Sequence, residues 1–327
     1  TVCDGVLSPI DNFYDREGTM SEAMAVNDKS PLMFSLNNHP LAESLSKAIG
    51  GQPGEFNARQ FPDGESYLRI QSDVENRACI VVADLSHPNI KYLPLLFLLE
   101  TLRELGASQV GLVAPYLSYM RQDRRFVDGE AVTSRIFAKC LSQHADWLVT
   151  VDPHLHRYHS LDEIYSIPSR VVQGAPALAH WLKTQSNLLL VGPDSESEQW
   201  VAEIAAFSQH PFVIGEKQRF GDRQVEVMLP AINEFKDRTA VIIDDVISSG
   251  QTILECVKTL RLKGVDNIQC VAVHGIFADH SDKILLASGL SQLVTSNTIP
   301  HPSNAIDITS QLIAPVISML KLPGKSL

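Results

Sequence analysis

No two cysteines stand at the spacing of a zinc site or a redox motif. The five thiols, Cys3, Cys79, Cys140, Cys256 and Cys270, are scattered. All but Cys3 fall inside apolar segments, where a buried reduced thiol is expected. An odd number with no disulfide spacing fits a reducing cytoplasm. The chain also lacks a basic stripe: Asp and Glu outnumber Lys and Arg by 38 to 27, for a net charge of -11. That argues against a nucleic-acid partner. It leaves nucleotides open, because a few local cations and backbone N–H groups suffice to hold phosphate. Long apolar runs are missing too. Leu93–Leu99 is too short to cross a bilayer, so no membrane association is expected. Residues 1–30 carry acids and no apolar core, so they do not read as a signal peptide. They are expected to form a poorly ordered extension, with Met20 and Met24 as candidate natural starts.

What is present is ordinary globular composition over 327 residues, enough for about two domains. Short β-branched runs alternate with helical stretches. Strands are expected at Leu32–Leu36, Ser66–Ile70, Cys79–Asp84, Gln109–Ala114 and Trp147–Val151. Later ones are Leu188–Val191, Pro211–Gly215, Val225–Leu229, Ala240–Ile243, Ile268–His274 and Gln292–Ser296. Helices fall between them, among them Pro40–Ile49, Lys91–Leu105, Thr133–Gln143, Ala175–Thr184, Ser197–Phe207 and Thr252–Lys263. Apolar strands interleaved with helices predict an α/β fold of mainly parallel sheets covered on both faces. The pattern runs twice, with a boundary expected between residues 172 and 173. In such sheets ligands bind beyond the carboxyl ends of the strands.

The most informative segment is Val241 to Thr252, a buried strand followed by Asp244-Asp245, a small-residue turn and a helix. Ser248, Ser249, Gly250, Gln251 and Thr252 bring hydroxyls and free backbone N–H groups to a helix N-terminus, a cradle for phosphate that needs no lysine. Asp244 and Asp245, at the strand's end, can accept from two adjacent sugar hydroxyls. Phosphate cradle and diol acceptor together match a phosphorylated pentose. Helix capping alone would account for one Ser and one Asp, not for the whole run.

This segment resembles the phosphoribosyl-diphosphate signature shared by type I phosphoribosyltransferases and ribose-phosphate pyrophosphokinases. Four further segments, in family order, resemble the pyrophosphokinases. Arg59 to Glu65 is similar to their nucleotide loop. The resemblance implies that Phe61, Asp63 and Glu65 contact ATP, often from a neighbouring subunit. Pro115 to Arg125 keeps the Arg121-Gln122-Asp123 pattern, with Arg121 and Gln122 implied as ATP ligands. Asp152-Pro153-His154 looks like the shorter, archaeal-type branch, His154 being the implied Mg2+-associated histidine. Downstream the match loosens, and Arg157 stands where many relatives carry Gln. Lys217-Gln218-Arg219 resembles the catalytic flap that closes over the transferred diphosphate. Lys217 and Arg219 would supply positive charge where phosphoryl charge spreads.

One loop departs from the pattern. Gly192-Pro193-Asp194-Ser195-Glu196-Ser197 keeps Asp194, the implied second Mg2+ carboxylate. It places Glu196 and Ser197 where relatives carry small residues beside the diphosphate. Glu196 either alters that loop or starts the next helix and points away.

The resemblance implies two tandem phosphoribosyltransferase-like domains, 31–172 and 173–327, with the last helix packing back on the first. It also implies Mg2+ as cofactor, ATP and ribose 5-phosphate as substrates, a cytoplasmic location, and a homo-oligomer, dimer or hexamer. The expected reaction is ATP plus ribose 5-phosphate to AMP plus 5-phosphoribosyl 1-diphosphate. A type I phosphoribosyltransferase is the alternative, though no base-binding hood is legible. A weakly active regulatory paralogue, motivated by Glu196, is the other.

Overall fold

The structure, a computed structural model, describes residues 30–220, 224–322 and 324, and no side chain between 217 and 226. The expected extension therefore lies outside the described residues, except for Ser30. In chain order the first half runs β1 (Leu32–Ser35), α1 (Pro40–Ile49), β2 (Gln52–Pro53), β3 (Phe56–Gln60), β4 (Ser66–Ile70) and β5 (Ala78–Val82). It continues with α2 (Pro88–Glu104), β6 (Gln109–Ala114), α3 (Thr133–His144), β7 (Trp147–Val151) and β8 (Ser169–Val172). The second half runs α4 (Ala175–Lys183), β9 (Leu188–Gly192), α5 (Glu198–Ser208), β10 (Phe212–Ile214), β11 (Glu216–Phe220), β12 (Gln224–Met228) and β13 (Thr239–Ile247). It ends with α6 (Gln251–Leu262), β14 (Ile268–Gly275), α7 (Ser281–Ala287), β15 (Gln292–Ser296), β16 (Asn304–Ile306) and α8 (Thr309–Leu320).

Each half builds a six-stranded sheet, in the orders β2-β1-β5-β6-β7-β8 and β10-β9-β13-β14-β15-β16. Every pairing within both sheets is parallel. Parallel strands must be covered on both faces, and the sequence supplies the means. All of β6 and β7 is buried, as is most of β14. One core packs α1, α4, α5 and α8 between the two sheets, drawing on Leu41, Leu178, Val201 and Leu312. The outer face of the first sheet is closed by α2 and α3 through Leu98 and Leu141. That of the second is closed by α6 and α7 through Cys256 and Leu285. Helix α8 belongs to the second half by sequence but rests against α1 and β6–β8.

Two antiparallel hairpins, β3–β4 and β11–β12, stand outside the sheets. In each sheet the connections diverge from neighbouring strands, β1 and β5 in the first, β9 and β13 in the second. A crevice opens at such a switch point, beyond the strands' carboxyl ends. Asp194 follows β9 directly, and Asp244 and Asp245 lie near the end of β13. The topology thus brings two separate acidic segments to one crevice.

Most expected strands appear within two residues of their bounds. β13 is the exception, continuing through the acidic pair to Ile247. Strands β2, β3, β8, β11 and β16 and helix α7 were not among the expected elements, and α8 was expected as a last helix without bounds. β3 is polar and mostly exposed. β8 and β16 are short edge strands, and α8 carries an internal Pro315. Each weakens the periodic signal.

Candidate active site

The residues expected to cradle phosphate line one cavity. A cavity of ≈ 100 Å³ is lined by Asp244 and by 246–253. Gly250, the residue before α6, takes φ 73, a left-handed conformation in which a Cβ is costly. A Cβ there would also come within 3.1 Å of Leu285. The turn leaves the first N–H groups of α6 facing the cavity, without intrahelical acceptors. From beneath, Ala278 N–H and the Ser281 hydroxyl donate to Ser248 O at 3.1 and 2.7 Å. Asp245 N–H donates to Asp244 Oδ1 at 3.0 Å. Burial, then the charges of Asp245 and Asp194, push the Asp244 carboxyl well above the usual range. A carboxyl so crowded has a strong tendency to take a proton, a cation or hydroxyl donors.

Across the crevice the end of β7 brings in His154. Its Nδ1 meets Asp245 Oδ2 at 2.7 Å. Burial pulls Asp245 upward, but the hydrogen bond and charge of His154 outweigh it and hold the carboxylate down to about 2. The backbone is bent to make this contact: Asp152 and His154 take φ 34 and 38. Asp152 Oδ2 accepts from Gly174 N–H at 2.8 Å, and burial raises its carboxyl to about 6. A Cβ on Gly174 would approach both Asp152 Oδ2 and Val273 to 2.7 Å, so a larger residue would force one of these side chains to shift.

The segment after β6 reaches the same place. Arg121 Nη1 donates to Ser248 Oγ at 3.2 Å, joining the expected nucleotide segment to the phosphate cradle. Gln122 is anchored on the start of α3, accepting from Thr133 Oγ1 and Ser134 N at 3.3 Å.

Other expected residues are placed less directly. Asp194 caps its own turn, its Oδ1 accepting from Ser197 N–H at 3.2 Å. Its charge is felt at Asp244. Glu196 is exposed in the turn before α5. Phe61, Asp63 and Glu65 form the tip of the β3–β4 hairpin, closed by Phe61 N–H to Glu65 O at 2.7 Å. Arg59 lies over the Phe61 ring at 4.4 Å. Among the described residues the tip's hydrogen bonds and ring contacts are to the hairpin itself. Lys217 and Arg219 lie on β11, paired with Val227 and Val225, but their side chains are outside the described residues.

Three residues given no role in the sequence analysis join the cluster. His274, fully buried in β14, places Nε2 3.0 Å from Val151 O and Nδ1 2.9 Å from Thr298 Oγ1. A carbonyl can only accept, so Nε2 carries the proton. Burial drives the pKa of His274 down to about 4. Tyr116 packs edge-on against His274 with ring centroids 5.0 Å apart, and Asp152 braces the crossing to α4. A histidine inside an apolar strand was the one available signal.

Among the described residues no group of three or more side chains forms a closed metal cage. The donors are nonetheless carboxylate oxygens beside an anion cradle. That set suits a hard cation held by one or two carboxylates and completed by water and phosphate.

Residues 32–144 match the family model for the N-terminal domain of ribose phosphate pyrophosphokinase, and residues 160–297 that for the phosphoribosyl transferase domain. The chain is 30% identical to a ribose-phosphate pyrophosphokinase of Methanopyrus kandleri, over 82% of this chain and 92% of that one. It is likewise 30% identical to the protein of that name from Sulfurisphaera tokodaii, over 84% and 94%. In fold it resembles the crystal structure of phosphoribosylpyrophosphate synthetase from Mycobacterium smegmatis, with a TM-score of 0.76 and 23% identity, over 90% of this chain and 99% of that one.

Proposed function

From the premise that this chain belongs to the ribose-phosphate pyrophosphokinase family, we propose how its residues carry out that enzyme's reaction. ATP and ribose 5-phosphate give AMP and 5-phosphoribosyl 1-diphosphate, a precursor for nucleotide biosynthesis. The observation that carries the assignment of sites is the contact of Arg121 with Ser248, which sets a nucleotide segment beside a sugar-phosphate cradle.

In this reading residues 248–252 hold the 5-phosphate on the N-terminus of α6. Asp244 and Asp245 accept from the ribose hydroxyls and fix the sugar's face. Arg121 and Gln122 bind the nucleotide, joined by Phe61, Asp63 and Glu65 from the hairpin of a second copy in a homo-oligomer. The anomeric O1 attacks the β-phosphorus, the bond to the α–β bridging oxygen breaks, and AMP leaves. Lys217 and Arg219, carried on the β11–β12 hairpin, balance the charge that spreads over the phosphoryl oxygens. His154 and Asp194 would hold Mg2+ in the carboxylate-lined crevice, where it would supply positive charge against the polyphosphate. The His154–Asp245 hydrogen bond orients that imidazole before any substrate arrives. The division into domains 31–172 and 173–327 is part of this reading, supported by the first sheet ending at Val172.

The family match over 32–144 gives no support to a simple phosphoribosyltransferase. The exposure of Glu196 gives none to a weakly active regulatory paralogue. The test is AMP release from ATP and Mg2+, with and without ribose 5-phosphate, in wild type and Lys217→Ala. Sugar-dependent AMP that falls at least about 100-fold in the variant is expected. A folded wild type that binds both ligands but forms no AMP would overturn the reading.

A further inference from the structure

Arg157 has no part in the reading above. Its Nη1 donates to both carboxylate oxygens of Asp123, at 2.7 and 3.0 Å. The two ends of this pair differ in setting: the Asp123 side chain is 1% exposed and that of Arg157 43%. The next residue repeats the grip on the backbone, Tyr158 OH donating to Asp123 O at 3.0 Å. Tyr158 OH also lies 3.0 Å from Ser134 Oγ and accepts from Arg135 Nε at 3.4 Å. Asp123 is thus held at side chain and carbonyl by consecutive residues of one loop. That loop is the one that carries His154 three residues earlier.

Asp123 directly follows Arg121 and Gln122. Gln122 is pinned to α3, while Arg121 extends to Ser248 in the other half. Beyond Asp123 the loop closes on itself. Glu130 accepts from Phe126 N–H and Val127 N–H at 2.7 and 3.0 Å. The Phe126 ring is flanked by the guanidinium groups of Arg124 and Arg157, at 4.8 and 5.5 Å. A buried carboxylate that loses its cation seeks water. Any shift of Asp123 towards water moves the backbone that carries Gln122 on α3 and Arg121 on Ser248.

We infer that Arg157 is a positioning residue of the nucleotide site, fixing Arg121 and Gln122 through Asp123 and coupling them to the His154 loop. This rests on the reading of Arg121 and Gln122 as nucleotide ligands. Arg157 touches no reacting atom. Its effect is to hold two ligands in register, where displacements of about 1 Å can matter by about 100-fold.

The test compares full-length wild type with Arg157→Ala, Arg157→Gln and Arg157→Lys. Two readouts are used: calorimetric titration with a non-hydrolysable ATP analogue plus Mg2+, and steady-state AMP formation. In Arg157→Ala the analogue Kd and the KM for ATP should rise about tenfold, with the KM for ribose 5-phosphate within about twofold. Gln, which donates without charge, should fall between, and Lys should recover most of the loss. Adding Asp123→Asn to Arg157→Ala should cost nothing further, since the two act as a unit. Unchanged ATP parameters in Arg157→Ala would overturn the inference. So would a parallel rise of both KM values tracking lost thermal stability, the mark of a purely structural salt bridge. If wild type binds the analogue but forms no AMP, the reaction assignment fails while the titration still decides the role of Arg157. If wild type binds no nucleotide, both fall.

Discussion

The two halves use one plan, and only one copy of its central turn is open. The order β1-α1-β2-hairpin-β5-α2-β6-α3-β7-β8 recurs as β9-α5-β10-hairpin-β13-α6-β14-α7-β15-β16. In the second half the turn after β13 leads through Gly250 into α6 with its N–H groups free to meet a phosphate. In the first half the turn after β5 occupies the same topological place. There Lys91 Nζ donates to Asp84 Oδ1 at 2.7 Å and to Ser86 Oγ at 2.9 Å, and Ser86 also bonds Asp84. Pro88 at the first position of α2 removes a further donor. Left-handed residues precede both helices, His87 at φ 53 and Gly250 at φ 73. Turn geometry alone therefore does not make a site. What decides is whether the polar groups are satisfied from within, as at Asp84, or left for a ligand, as are the first N–H groups of α6.

The largest test of this contrast exchanges carboxylates for amides. Asp245→Asn removes the charge facing His154 and turns one of the two oxygens proposed to accept from the sugar into a donor. It should lower kcat/KM by two to three orders, roughly 3–4 kcal/mol of transition-state stabilisation. Asp84→Asn should instead weaken folding by about 3 kcal/mol, because Lys91 loses a buried partner, and leave kcat/KM per folded molecule near wild type. Denaturant melts alongside kinetics decide the matter. Loss of activity in a stable Asp84→Asn protein would mean that the first-half turn is also a site.

The seam joining the halves should show in the pH dependence of stability. His274, held neutral with a pKa of about 4, binds protons less readily than in the unfolded chain, where His titrates near ~6.5. Stability is therefore lost as pH falls from about 6.5 towards 4, by at most about 3 kcal/mol. Asp152, raised to about 6, acts with the opposite sign over an overlapping window, and Asp245, held near 2, loses stability only below its unfolded pKa. The difference between wild type and His274→Asn isolates the histidine. A difference in melting temperature that does not change between pH 7 and 4.5 would rule out its neutral burial.

The smallest effects concern the two left-handed caps, and they should have opposite signs. Gly250→Ala should destabilise by about 1–2 kcal/mol and raise the KM for ribose 5-phosphate, since φ and Leu285 both oppose the new Cβ. His87→Gly should be neutral or stabilising, by up to about 1 kcal/mol, with no kinetic change. Equal effects at both caps would erase the distinction between plugged and open turn.

The sequence by itself carried the alternation of strands and helices and the strand–turn–helix run that lines the cavity, because both depend on neighbours in the chain. Val241 to Thr252 places strand, acids, turn and helix within one contiguous run. The hairpin tip Phe61–Glu65 was legible as a turn for the same reason. Tertiary structure alone decided the pairing of His154 with Asp245, 91 residues apart, and of Arg121 with Ser248, 127 apart. It also gave His274 its role, and its ring packs between β7 and the loop after β15. No local pattern encodes such contacts. They arise because parallel sheets must be covered on both faces, which stacks two copies of one unit and brings loops distant in the chain to one crevice.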